Sequence, residues 1–220
     1  MLYLYAITES RRVPAAPGLR GAPLKLVGDA GLYAVASEHD ELRVEPNEAD
    51  LWAHEAIVED LMSDGSVLPM RFGSAVADEK ALRGFLEERR RSLEQALERV
   101  RGAVELSVRV AVASEPDTQA AAEEPGSGTA YLLDRLKQQR HQTAMTARVH
   151  QPLVPLSRAS TSWSGEPRRR LWKAAYLVGI EDIEAFTQQV DMLDAELGAA
   201  SVLCTGPWPP YSFSSEESGR

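Results

Sequence analysis

A chain of 220 residues, 44% hydrophobic and 26% charged, is long enough for one large domain or two of about 100 residues each. Its net charge of −9 works against broad phosphate binding, so nucleic acid is not an expected partner. No apolar run approaches the roughly 20 residues of a membrane helix, and the single cysteine, Cys204, excludes an internal disulfide framework and a multi-cysteine zinc site.

Met1 to Ile7 lacks the basic start and small-residue cleavage site of a signal peptide, which leaves a cytoplasmic protein as the expectation. The same stretch is apolar on both alternating faces and reads as a strand covered on both sides. Arg11 to Pro23 is a proline- and glycine-rich loop. Leu24 to Val27 and Leu32 to Ser37 form a hairpin around Gly28-Asp29-Ala30-Gly31. Asn47 caps a helix with Leu51, Val58 and Leu61 on its stripe, closed at Gly65 by a residue able to take positive φ. His54 falls on that stripe, and a satisfied or half-buried histidine is expected there rather than a metal ligand, since the second histidine of a zincin motif is absent.

Val67 to Gly73 reads as a short strand that Pro69 confines to an edge or bulge. Asp78 then caps one long helix, with Leu82, Leu86, Leu93, Leu97 and Val100 on a face and Gly102 at its end. At about 1.5 Å per residue it runs some 36 Å, enough to bridge to the second half. Its Arg89-Arg90-Arg91 run, among Glu87, Glu88 and Glu94, is a surface pairing series.

Val104 to Val112 alternates as a half-buried strand. Ser114 to Ser127 reads as a mobile loop, Thr129 to Val149 as a helix, Pro152 to Trp163 as a proline-broken extended segment and Leu171 to Val178 as a strand. Ile183, Phe186, Val190, Leu193 and Leu197 mark an amphipathic helix ending at Gly198, and Val202 to Thr205 is the last strand. The fold class is α+β in two domains. Residues 1–102 form an N-terminal α/β sheet with helices on one side, 103–213 a ferredoxin-like βαββαβ domain, and 214–220 a disordered tail.

Chemistry is sparse. Cys204 stands in an apolar strand without a base, and the four histidines are scattered, so no catalytic, cofactor-binding or metal-binding residues are expected and the protein is not an enzyme. Gly126-Ser127-Gly128-Thr129 lacks the lysine and spacing of a P-loop and reads as a helix cap. What stands out is Thr205-Gly206-Pro207-Trp208-Pro209-Pro210-Tyr211-Ser212-Phe213. The prolines stop the ladder and stiffen a run carrying three large rings, which either seals a domain or presents a contact surface.

Taken together, Leu2 to Ile7, Gly31 to Ser37, His54-Glu55, Val67 to Gly73, Gly128 to Leu132 and Gly206 to Phe213 resemble the gas vesicle protein F/L family over nearly the whole chain. The departures are small: Ala6 stands where the family often has glycine and Ser74 where it often has threonine. The resemblance implies a non-catalytic accessory protein, cytoplasmic or on the gas vesicle, that binds the small hydrophobic shell subunit and other minor gas vesicle proteins and supports assembly, with no cofactor, nucleic acid or membrane. Arg71, Phe72, Trp208, Tyr211 and Phe213 are the expected partner-binding residues. The alternative is a ferredoxin-like module that binds a small regulatory ligand.

Overall fold

The structure, a computed structural model, describes residues 1–40, 47–112, 136, 140, 144, 146–164, 171–198 and 200–214. The loop expected over 114–127, the cap at 126–129, most of the helix expected over 129–149 and the tail beyond Ser214 lie outside these residues. The chain divides into two compact units, Met1–Glu105 together with the segment from Pro207 onward, and Leu106–Gly206.

The first unit is built on β1 (Leu2–Thr8), whose seven residues are all buried. It pairs antiparallel with β3 (Leu32–Glu38), β4 (Val67–Pro69) and the short β5 (Ala75–Val76), while β2 (Leu24–Asp29) pairs with β3, giving the order β2-β3-β1-β4. The hairpin turns where expected, through Ala30 and Gly31, both at positive φ as a tight antiparallel turn needs. Pro69 sits on the edge strand, where a missing N–H costs no ladder bond. Burial of every β1 side chain means that the sheet is covered on both faces, not one.

Helix α1 (Glu48–Asp64) begins at Asn47, whose side chain accepts from the Asp50 amide. It packs on the face bearing Tyr3 and Tyr5, in a core with Leu19, Val35, Ile57, Val58, Leu61 and Val67. Two expectations for α1 fail. Leu51 is exposed, because the buried side of the first turn carries Asp50, held by Asn47 and near Arg20. Gly65 takes φ 164°, ordinary extended backbone, so no left-handed cap forms.

The long helix is two, α2 (Glu79–Glu88) and α3 (Arg90–Val100), broken at Arg89 (φ −108°, ψ 10°). Leu82 and Leu86 of α2 are buried where it packs on β2, and Ala96, Leu97 and Val100 of α3 where it packs on β4. Those strands lie at opposite ends of a twisted sheet, and the break lets each segment follow its own. Both helices belong to the first unit and do not bridge out of it. The arginine run pairs as expected at Arg90 with Glu94, and Arg90 also reaches Asp29 in the hairpin turn.

The second sheet has the order β7-β8-β6-β9, from β6 (Ala103–Val112), β7 (Ala159–Ser164), β8 (Leu171–Gly179) and β9 (Ala200–Trp208). Of the segment expected to be extended from Pro152 to Trp163, the later part is β7, but residues 152–156 form helical turns that place Pro152 and Pro155 at first-turn positions, where proline is tolerated. Helix α4 (Ile183–Leu197) buries Phe186, Val190 and Leu193 as the periodicity predicts. Asp194 on α4 accepts the Val202 amide at 2.7 Å. Strand β9 runs on through Pro207 to Trp208, beyond the predicted stop. It is an edge strand, so proline costs no pairing, and Gly206 takes φ 127° there.

Candidate functional site

Two consecutive residues of α1 hold the two segments that carry the candidate residues. His54 is fully enclosed. Its Nε2 lies 3.0 Å from the Met70 carbonyl, which can only accept, so Nε2 carries the proton and Nδ1 accepts the Tyr3 hydroxyl at 2.9 Å. The Tyr3 oxygen in turn accepts the Gly73 amide at 3.2 Å. The turn from Met70 to Gly73 is thus tied at both ends to one imidazole and one phenol. Phe72 packs its ring against both, with centroids 6.1 Å from Tyr3 and 5.8 Å from His54.

Tyr5 stacks on His54 at 5.6 Å and extends the network. Its hydroxyl accepts the Leu19 amide at 2.7 Å and is hydrogen-bonded to the Ser37 hydroxyl at 2.8 Å, which is in turn hydrogen-bonded to His39 Nε2 at 2.8 Å. A Cβ at Gly18 would fall 2.5 Å from the Tyr5 hydroxyl, so glycine is required there for the loop to approach.

Glu55, the next residue of α1, accepts the Tyr211 hydroxyl at 2.8 Å. Glu105 on β6 is buried, and its two oxygens accept the Ser212 amide and hydroxyl, each at 2.8 Å. Arg99 on α3 donates to the Phe213 carbonyl at 3.0 Å. The strap from Pro207 to Ser214 is therefore fastened by Glu55 of α1, Arg99 of α3 and Glu105 at the start of β6, three residues that all belong to the first unit. The sequence reading had grouped it with the second domain.

The electrostatics follow from enclosure. Burial pushes His54 down to about 4 and Tyr3 up to about 12. Glu55 and Glu105 are both raised, chiefly by burial and against the bonds from Tyr211 and Ser212. Tyr211 is pushed well up by burial and then by its bond to Glu55. These groups hold backbone and phenols in place through their hydrogen bonds.

Among the five predicted residues, Arg71 is exposed, Phe72 and Tyr211 are half-buried, Trp208 is 44% exposed and Phe213 is 1% exposed. Phe213 thus seals the unit and supports the strap from beneath, while Trp208 and Arg71 face solvent. Sequence reasoning missed two features. Glu105 alternates with valines like a solvent-facing residue, and only its bonds to Ser212 explain its burial. Trp52 on α1 is 68% exposed, the solvent-facing ring that periodicity had not marked. Cys204 is half-buried, with its thiol pKa raised by burial and then by Asp191. Among the described residues no three side chains form a metal-binding group, and no helix is long and apolar enough to cross a membrane.

The family described as gas vesicle synthesis protein GvpL/GvpF matches residues 1–215. The chain belongs to the GvpL/GvpF family. It is 30% identical to gas vesicle protein F1 of Halobacterium salinarum, covering 96% of this chain and 92% of that protein. It is 31% identical to gas vesicle protein L of a Streptomyces species, covering 96% and 91%. The crystal structure of GvpF from an Anabaena species superposes with a TM-score of 0.79 at 21% identity over 97% of this chain and 98% of the other, and that of GvpF from Microcystis aeruginosa with 0.75 at 18% over the same shares. The two GvpF structures share the mixed helix-and-sheet fold described here.

Proposed function

We propose that this GvpL/GvpF protein is a non-catalytic assembly factor that binds the hydrophobic gas vesicle shell subunit, and that the surface around the Met70 to Gly73 turn and the strap makes the contact. The observation that carries the reading is Trp208, 44% exposed at the start of a strap whose Tyr211, Ser212 and Phe213 are hydrogen-bonded to Glu55, Glu105 and Arg99. A proline-stiffened segment fastened at three points loses little entropy on docking, so a ring held out from it is presented at low cost. A shell subunit must cover apolar surface until it polymerises, and exposed rings on an acidic, soluble carrier meet that need. The order β7-β8-β6-β9 supports a ferredoxin-like second unit, and family membership supports association with gas vesicles.

The test is co-expression of the tagged protein with the shell subunit. Trp208→Ala and Phe72→Ala are expected to keep the circular dichroism of the wild type and to lose most of the captured subunit. Wild-type capture by both folded variants would overturn the assignment.

A further inference from the structure

Helix α1 carries Glu48, Asp50, Glu55, Glu59, Asp60 and Asp64 and no lysine or arginine. Four of these carboxylates have partners: Arg12 pairs with Asp60 and Asp64, Arg20 lies 3.9 Å from Asp50, and Tyr211 bonds Glu55. Glu48 and Glu59 are exposed and make no ion pair among the described residues. Trp52 lies between them. With 3.6 residues per turn, Glu48, Trp52, Glu55, Ala56 and Glu59 fall on one stripe, and Leu51 borders it.

Trp52 is 68% exposed and Leu51 39%. Neither ring nor branch contributes to the core, so packing within the unit does not account for an indole here. An apolar centre with an anionic rim is complementary to an apolar stripe with a cationic rim. Phosphate-bearing surfaces are excluded by repulsion from the same carboxylates. From Glu48 to Glu59 the helix rises about 16 Å, which a partner helix matches by placing basic residues three or four apart along each turn. The face is continuous with the proposed contact surface, because Glu55 on its stripe holds Tyr211 of the strap.

We propose that this face of α1 docks a cationic amphipathic helix of a partner polypeptide, whose apolar stripe covers Trp52 and Leu51 and whose lysines or arginines pair with Glu48 and Glu59. The proposal rests on the reading of the protein as a carrier of other gas vesicle polypeptides, and it adds the place and the chemistry.

Two fluorescein-labelled synthetic helices of about 18 residues test it, each with a leucine face, one flanked by lysines and the other by glutamates. Fluorescence anisotropy with the full chain is expected to show binding of the lysine helix alone, weakening as salt rises. Trp52→Ala, and Glu48→Lys with Glu59→Lys, are each expected to lower affinity about tenfold or more without changing Tm, since these side chains are exposed. The doubly charge-reversed protein is expected to take up the glutamate helix instead. Equal binding of both helices by the wild type, or unchanged affinity in the variants, overturns the proposal. So does sedimentation of the protein alone as a dimer that Trp52→Ala dissolves, which assigns the face to a second copy. Full capture of the shell subunit by Trp52→Ala overturns the α1 face and leaves the strap contact standing. Loss of capture by the wild type, with peptide discrimination intact, removes the shell contact and keeps the α1 face as a dock for another cationic helix.

Discussion

Each unit contains a tyrosine on an inner strand bonded to a histidine from a helical segment, yet the two pairs do different work. In the first, Tyr3 meets His54 at 2.9 Å, both imidazole nitrogens are bonded, and Tyr5 and Phe72 close around the ring. In the second, Tyr176 meets His150 at 2.8 Å, but the imidazole is half-exposed beside Trp172 and only Nδ1 has a partner among the described residues. The same chemistry serves as an interior joint in one unit and as a peg at the rim in the other. Enclosure, more than residue type, sets what each pair contributes to stability.

The first unit is the one completed from a distance, so its largest vulnerability is the strap. Phe213→Ala is expected to cost about 3–5 kcal/mol, the range for emptying an aromatic site in a core. Hydrogen exchange is expected to rise in β1 while β8 keeps its protection. Equal loss in both strands would break the comparison.

Acid is the next lever. His54 titrates at about 4 in the folded protein against 6.5 in a free chain. Between those values the unfolded chain takes up a proton that the native unit refuses, so this contribution is whole above pH 6.5 and falls as the pH drops toward 4. At about 1.4 kcal/mol per pH unit the loss reaches roughly 3 kcal/mol. His150 is also lowered by burial, giving the same sign, but its half-exposed ring predicts a smaller effect. Urea denaturation across this pH range is expected to lose the His54 contribution to its slope in His54→Gln and to keep it in His150→Gln.

Removing the phenols sharpens the contrast further. Tyr3→Phe leaves His54 Nδ1 without a partner in a fully enclosed site and takes the acceptor from the exposed Gly73 amide, at about 1–3 kcal/mol. Tyr176→Phe takes the partner from an imidazole that is only half-buried, and about 1 kcal/mol or less is expected. Chemical denaturation of the two variants checks the order. Smallest of all, Trp52→Ala is expected to change stability by no more than about 0.5 kcal/mol, because its side chain is 68% exposed.

Local signals carried far in this sequence. The period of β1, the turn at Ala30-Gly31, the Asn47 cap and the stripe of α4 all read correctly because their causes lie within a few residues. Features decided by distant partners did not. The apolar repeat runs through Arg89 without interruption, and only the separation of β2 from β4 explains the break there. Asp50 lies buried because Arg20 stands near it, and Glu105 because Ser212, more than a hundred residues on, supplies both donors. His54-Glu55 was legible as a pair worth noting, but not as the anchor of two separate segments. The strap was legible as stiff and aromatic, and its rings turn out to be divided between sealing and display.

The placement of that strap bears on how the protein is made. Residues from Pro207 onward complete a unit whose other residues end at Glu105, so translation must add about 100 more residues before the first unit can close, a delay of roughly 5–20 s at ordinary elongation rates. During that interval the carboxylates of Glu55 and Glu105 and the site of Phe213 stand open on the nascent chain. The first part of the polypeptide to leave the ribosome is therefore among the last to mature, and cutting the chain after Gly206 should damage its beginning rather than its end.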